Sequence, residues 1–201
     1  MEISGLQPGK YPVTAFAAYL ELLTQWNKAY NLTGVRDQKK MITHHILENI
    51  PVLPYLNGNC CLDVGTGAGL PGLILALTTP EKQWFLLDSN HKKVRFVNQA
   101  ILELNIPNIE TVYSRVEDYN TDHLFTTVIS RAFGSLKLTF DRTRHLLSSA
   151  TSLLVMKGED VMQELKELDE SAMQVQVHTL HGAGVSKQRT LIEIRAIPAL
   201  R

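Results

Sequence analysis

The sequence predicts an α/β protein: a Rossmann-like, doubly wound and largely parallel sheet, entered through two N-terminal helices. Three observations predict it. From residue 60 to about 170, short apolar runs alternate with stretches of helical period. A glycine-rich turn, "DVGTGAGLPG" (63–72), follows the first apolar run and opens a helical stretch. Near its end the chain carries two runs that alternate apolar with polar residues, "MQVQVHTL" and "RTLIEIRAI". They are joined by the Gly-containing turn "HGAGVSKQ", as in an antiparallel pair.

From Pro12 to about Tyr30, Phe16, Tyr19, Leu20, Leu23, Trp26 and Tyr30 recur at helical spacing. The polar turn "NLTGVRDQ" ends that helix. A second helix is expected from Lys39 to about Asn49, with Met41, Ile42, His45, Ile46 and Ile50 on one side. Residues 1–55 therefore read as a helical extension and 56–201 as the sheet domain, packed as one unit. "CCLDV" (60–64), "QWFLLD" (83–88), "IETVYS" (109–114), "FTTVIS" (125–130) and "SLLVMK" (152–157) read as buried strands. Helices are expected over "LPGLILALTT", over 89–105 with Ser89 as its cap, and near 135–147. The stretch 159–170, "EDVMQELKELDE", reads as the solvated face of a surface helix.

The 201 residues suffice for one domain with a short extension, and the 44% hydrophobic, 20% charged composition is that of an ordinary soluble chain. No apolar run approaches a membrane span, and the first residues lack the pattern of a secretory signal. Cys60 and Cys61 are adjacent in an apolar run and read as buried thiols of a reducing compartment, so a cytoplasmic location is expected. The formal net charge is zero, so composition alone does not announce a nucleic-acid partner. The 159–170 stretch holds six acids and one lysine, which leaves the rest of the chain with a modest basic excess.

Gly67, Gly69 and Gly72 match G-x-G-x-x-G between a strand and a helix, and Asp88 lies 21 residues after Gly67 at the end of the next strand. That is the pattern of a dinucleotide site. Three details favour another ligand. Asp63, just before the loop, would repel a pyrophosphate and attract an ammonium or sulfonium. Pro71, in the first helical turn, lacks the N–H that a phosphate would use. The glycines also begin early, at Gly65, so the backbone can approach a ligand closely. S-adenosylmethionine meets these demands: it is cationic at the amino group and at sulfur, and it offers ribose hydroxyls to a carboxylate such as Asp88. The plainer alternative is that the turn serves packing and Asp63 caps the helix. A P-loop is excluded because no G-K-[ST] follows.

"WNKAYNLTGVRD", "DVGTGAGLPG", "LLDSNHKKVRFV", "SRVEDY", "ISRAFGSL" and "MKG" stand in an order and spacing that resembles the bacterial small-subunit ribosomal RNA methyltransferase G family, also called glucose-inhibited division protein B. The resemblance covers nearly the whole chain and is vaguest in the C-terminal third. It implies a class I S-adenosylmethionine-dependent methyltransferase fold with an antiparallel final strand. It implies methyl transfer to N7 of one guanosine of 16S rRNA in the small ribosomal subunit. Carried over by motif, Gly65 and Leu70 would contact the cofactor, as would Val116 and Glu117 by the adenine, and Arg131. Asp88 would hold the ribose. The family's expected glycine and Lys-Arg pair after Asp88 is "NHKK" here.

The residues agree with this chemistry by what they lack. Guanine N7 has an exposed lone pair and no proton to lose, so its methylation needs alignment rather than a general base. No [ND]-P-P-[FYW] motif of an exocyclic-amine enzyme follows the fourth strand. The two cysteines are placed as core, not as nucleophiles. His44 and His45 are adjacent, so one should face the core and the other solvent, and no metal site is expected. No catalytic side chain is identified. Arg131 has two readings: a ligand of cofactor or RNA phosphate, or the partner of an acid at the sheet end. For RNA, Lys28, Arg36, Lys39 and Lys40 cluster about the N-terminal turn, interleaved with Trp26, Tyr30 and Asn31. The two aromatics, at i and i+4, are expected to pack as core. Lys92, Lys93, Arg95, Lys187 and Arg189 are candidates for an extended rim. A monomer suffices for all of this. A small-molecule methyltransferase and a dinucleotide-binding module remain the alternatives.

Overall fold

The computed structural model describes residues 9, 11–158, 161–168, 173–182 and 189–196. Seven strands form one sheet: β1 (Cys60–Val64), β2 (Gln83–Asp88), β3 (Ile109–Tyr113), β4 (Thr127–Arg131), β5 (Ser152–Lys157), β6 (Met173–Leu180) and β7 (Arg189–Ala196). Their order is β3-β2-β1-β4-β5-β7-β6. The first five run parallel, and β7 lies antiparallel between β5 and β6. The sheet grows outward from β1 in one direction through β3, then restarts on the other side of β1 with β4. Such a reversal opens a crevice at the carboxyl ends of the two central strands.

The central strands are buried along nearly their whole length because they are covered on both faces. In β1, Cys61, Leu62, Asp63 and Val64 are all fully buried. One face carries α1 (Val13–Tyr30), α3 (Gly72–Thr78) and α4 (His91–Leu104), where Phe16, Leu23, Leu73 and Phe96 pack with Trp84 of β2. Tyr19 and Trp26 of α1 place their rings 6.1 and 5.7 Å from Phe96, which docks the N-terminal helix on α4. The other face, with Leu62, Phe85, Val128, Leu153 and Ile192, packs against Leu136 of α5 (Leu136–Thr143).

Several expectations are corrected. The second N-terminal helix is not one regular helix. It is a short α2 (Gln38–Met41), a π-helical turn (Ile42–Leu47) and a 3-10 segment (Ile50–Tyr55). The cap of α4 is Asn90, whose side chain accepts from the Lys92 N–H, and not Ser89. The fourth strand begins at Thr127 and not at residue 125. Within the acidic stretch, α6 spans only Met162–Leu165, and Glu159, Asp160, Asp169 and Glu170 lie outside the described residues. Cys61 is buried, its thiol pushed up to about 12 by desolvation, but Cys60 is only half-buried. Trp26 packs into the core while Tyr30, stacked 5.3 Å from it, is exposed. No helix among the described residues is long and apolar enough to cross a membrane.

Candidate functional site

The glycine loop leaves β1 at its carboxyl end and is held from three sides. Asp63 Oδ2 accepts from the Thr66 hydroxyl at 2.6 Å and from the Gly72 N–H at 2.8 Å, so it ties the strand to the start of α3. Asp88 at the end of β2 accepts from the Gly67 N–H at 2.9 Å and from the Asn90 N–H at 2.8 Å. The Tyr19 hydroxyl donates to the Ala68 carbonyl at 2.7 Å, so the N-terminal extension also fixes the loop. Gly65, Gly67 and Gly69 have φ of 70°, 61° and 85°, a region that side chains disfavour. At Gly72 the reason is space: a Cβ there would lie 2.2 Å from Leu86 Cδ2 and 2.7 Å from the Asp63 carboxylate. At Gly67 a Cβ would meet nothing closer than the Gly65 carbonyl at 3.9 Å. The loop is therefore tight beneath and open above.

Above it lies a cleft of about 220 Å³ lined by Gly65, Asp88, Val116, Glu117, Ala132 and Phe133, among others. Leu70 is buried under the loop. Glu117 is exposed and pairs with Arg142 at 2.9 Å, and the Arg142 guanidinium lies 5.8 Å from the centre of the Phe133 ring. A second cavity, of about 480 Å³, opens on the other side of Ala132 and is bounded by Val35, His45, Glu48, Arg131, Lys157 and Arg189, among others. Ala132 lines both cavities and has φ 55°, unusual for a residue other than glycine.

Three buried side-chain polar atoms among the described residues lack a partner: Asp63 Oδ1, Ser130 Oγ and His45 Nδ1. The first two belong to β1 and β4, which pair with Val64 opposite Ser130, at the carboxyl end of the sheet. Unmet polar groups are costly, and two of them lie beneath the glycine loop at the carboxyl end of the central strands. Burial raises the Asp63 carboxyl to about 6, against the lowering effect of its hydrogen bonds and of Arg131. Arg131 donates to two neutral acceptors, the His44 carbonyl at 2.8 Å and Asn49 Oδ1 at 3.3 Å. Among the described residues no acid forms an ion pair with it, against the reading of Arg131 as the partner of an acid at the sheet end. Desolvation lowers its pKa, against the raising effect of the nearby Asp63 and Glu48 carboxylates.

The sequence candidates for RNA divide. Lys28, Arg36, Lys39 and Lys40 are exposed on the N-terminal turn, and Arg36 donates to Asn31 Oδ1 at 3.0 Å. Lys28 and Arg36 share a small depression with Val35, which also lines the second cavity. Lys92 and Arg95 are exposed on α4, whereas Lys93 lies 3.7 Å from Asp88. Arg189 turns inward to Glu48, and Lys187 lies outside the described residues. Of the histidine pair, His45 is buried as expected, but His44 is half-buried and bonds Glu48 at 2.7 Å. Glu48 escaped the sequence reading because a single glutamate on a helix is usually solvated. Its one signal was position, three residues past His45 on the apolar side.

A parallel sheet reversed at β1, a glycine loop open above, and an acid at the end of each of β1 and β2 define a class I methyltransferase, a class that uses S-adenosylmethionine. Solved structures agree at the level of fold. Magnesium protoporphyrin IX methyltransferase from Synechocystis PCC 6803, solved with S-adenosylmethionine bound, superposes with a TM-score of 0.61 at 14% identity, covering 89% of this chain and 97% of that one. The chain belongs to the rRNA small subunit methyltransferase G (GidB) family, which matches residues 13–192. The ribosomal RNA small subunit methyltransferase G of Psychromonas ingrahamii is 47% identical over 183 residues, covering 89% of this chain and 86% of the relative. That of Coxiella burnetii is 41% identical over 191 residues, covering 95% and 92%.

Proposed function

We propose that this enzyme transfers a methyl group from S-adenosylmethionine to N7 of a guanosine in 16S rRNA of the small ribosomal subunit. The observation that carries the reading is the pair of cavities separated by Ala132, one over the glycine loop and one under the N-terminal extension. Two cavities meeting at one residue suit a donor and an acceptor brought together for in-line displacement.

On this reading the residues at the loop fit the cofactor. Asp63 Oδ1 is the free acceptor for its ammonium, and Arg131 the cation for its carboxylate. Asp88, Val116 and Glu117 bound the space for ribose and adenine, with Gly65 and Gly67 leaving room and Leu70 supporting the loop. The cofactor supplies an electrophilic methyl on sulfonium. The chain's own residues orient both partners, exclude water and neutralise charge. No residue needs to take a proton before attack, because N7 carries none. Lys28, Arg36 and Lys39 on the adjoining turn are suited to RNA phosphates.

With formal charge balanced, electrostatic attraction to naked RNA is weak, so the assembled particle or an assembly intermediate is the expected substrate. The test is labelled methyl transfer to small subunits from cells lacking the gene, followed by mass mapping of the modified nucleoside. 7-Methylguanosine in small-subunit rRNA is expected. A methyl on another atom, or turnover only of small molecules, refutes the reading.

A further inference from the structure

Glu48 sits in the wall of the second cavity and is only 4% exposed. Arg189 Nη2 reaches its two oxygens, each at 3.0 Å, and His44 Nδ1 donates to Oε1 at 2.7 Å. A carboxylate carries about four acceptor positions, so Oε2 retains capacity for a further donor. Buried carboxylates are held this way when their geometry matters, since both flanking donors come from different elements, β7 and the π-helical turn. The cavity measures about 480 Å³, within the ~300–1,000 Å³ usual for small-molecule sites. Val35, Ala132 and Met156 give it apolar surfaces suited to the faces of a base. Of its three cations, Arg189 is paired with Glu48 and Lys157 with Glu164 at 2.7 Å, whereas Arg131 bonds neutral acceptors.

We infer that the second cavity is the acceptor pocket and that Glu48 selects guanine by accepting, on Oε2, a hydrogen bond from its 2-amino group. This rests on the guanosine reading above and names the residue that makes the choice. Among the four bases, guanine alone carries an amino donor at C2 of its pairing edge. That edge is the opposite end of the purine from N7. A guanine held by Glu48 therefore presents N7 away from the extension, toward the Ala132 side where the cofactor cleft lies. Glu48 is a specificity residue that touches the acceptor, and Arg189 and His44 position it.

The test measures binding of guanosine, inosine and adenosine 5′-monophosphates to the full chain loaded with S-adenosylhomocysteine. Inosine lacks only the 2-amino group. Wild type is expected to bind the guanosine nucleotide about 10-fold or more tightly than inosine, and adenosine weakest, from loss of a charge-assisted bond. Glu48→Gln is expected to erase the guanosine–inosine gap while S-adenosylhomocysteine affinity stays within about 2-fold. Equal guanosine and inosine binding by wild type, a gap that persists in Glu48→Gln, or no nucleotide binding overturns the assignment. The wild-type comparison needs no variant to fold. A methyl mapped away from N7 refutes the proposed function, whereas lost discrimination in wild type refutes only the role of Glu48.

Discussion

Asp63 answers two demands with two oxygens. Oδ2 is spent on Thr66 and Gly72, and Oδ1 is left facing no protein donor. The sequence showed an acid before the loop but not that one of its oxygens serves the loop itself, because such bonds depend on how the turn closes. Asp63→Asn keeps the size and is expected to weaken S-adenosylmethionine binding at least ~10-fold, read by calorimetry. Wild-type affinity would remove Asp63 from the cofactor site. The carboxyl is raised to about 6, so it is increasingly protonated below that pH. Cofactor affinity should therefore fall as pH drops through about 6, and should do so less in Asp63→Asn. Tyr19 supports the same loop from the extension, with its fully buried hydroxyl on the Ala68 carbonyl. Tyr19→Phe is expected to cost about 1–3 kcal/mol, measured by denaturant unfolding, because the carbonyl loses its partner. Tyr19 read only as one member of an apolar stripe, since helical spacing reports a buried face and not what a hydroxyl finds there.

At the scale of elements, strands were more legible than helices. "SLLVMK" and "QWFLLD" are bounded by polar turns and match β5 and β2 residue for residue. The N-terminal segment after Asp37 was harder. A π turn and an α turn space apolar residues too similarly to be told apart over six residues, so the regular helix expected there is instead irregular. That irregular stretch carries His44 and His45, and such turns are often found at functional sites. The junction of β1, the loop and α3 has no slack. Gly72→Ala would push a methyl into Leu86 and the Asp63 carboxylate, so a loss of about 1–3 kcal/mol or more is expected, with weaker cofactor binding. Ordinary stability in that variant would show that α3 can shift on the sheet.

Across the whole molecule, the order of strands was not legible. Alternating strands and helices announce a wound sheet, but nothing local says that β4 returns beside β1, because pairing is decided by tertiary packing. The pH dependence of stability belongs to this scale, since it sums opposed groups. Burial, aided by Arg131, lowers His45 from 6.5 to about 4, so the folded state keeps it neutral. The unfolded chain binds that proton more readily, and this contribution is lost as pH falls from about 6.5 through about 4. Asp63 has the opposite sign: raised from 3.8 to about 6, it favours folding less as pH rises through that window. His45→Gln should therefore flatten the acid side of the unfolding profile, or invert its slope, in a melting series from pH 4 to 7. An unchanged acid slope would show that His45 is not the group responsible. Salt dependence is a second whole-molecule property. Methylation of free 16S rRNA should lose more rate between low and physiological salt than methylation of assembled subunits. Finally, Ala132 is a partition with different origins on its two sides. The donor side is built mainly from residues after 60, while Val35, His45 and Glu48 on the acceptor side come from before it. The acceptor side also draws on Arg131, Met156, Lys157 and Arg189, so it joins both parts of the chain. Redesign at Val35 and Glu48 should alter base preference, whereas changes at His44 or Asn49, which hold Arg131, should also reach methyl-donor affinity.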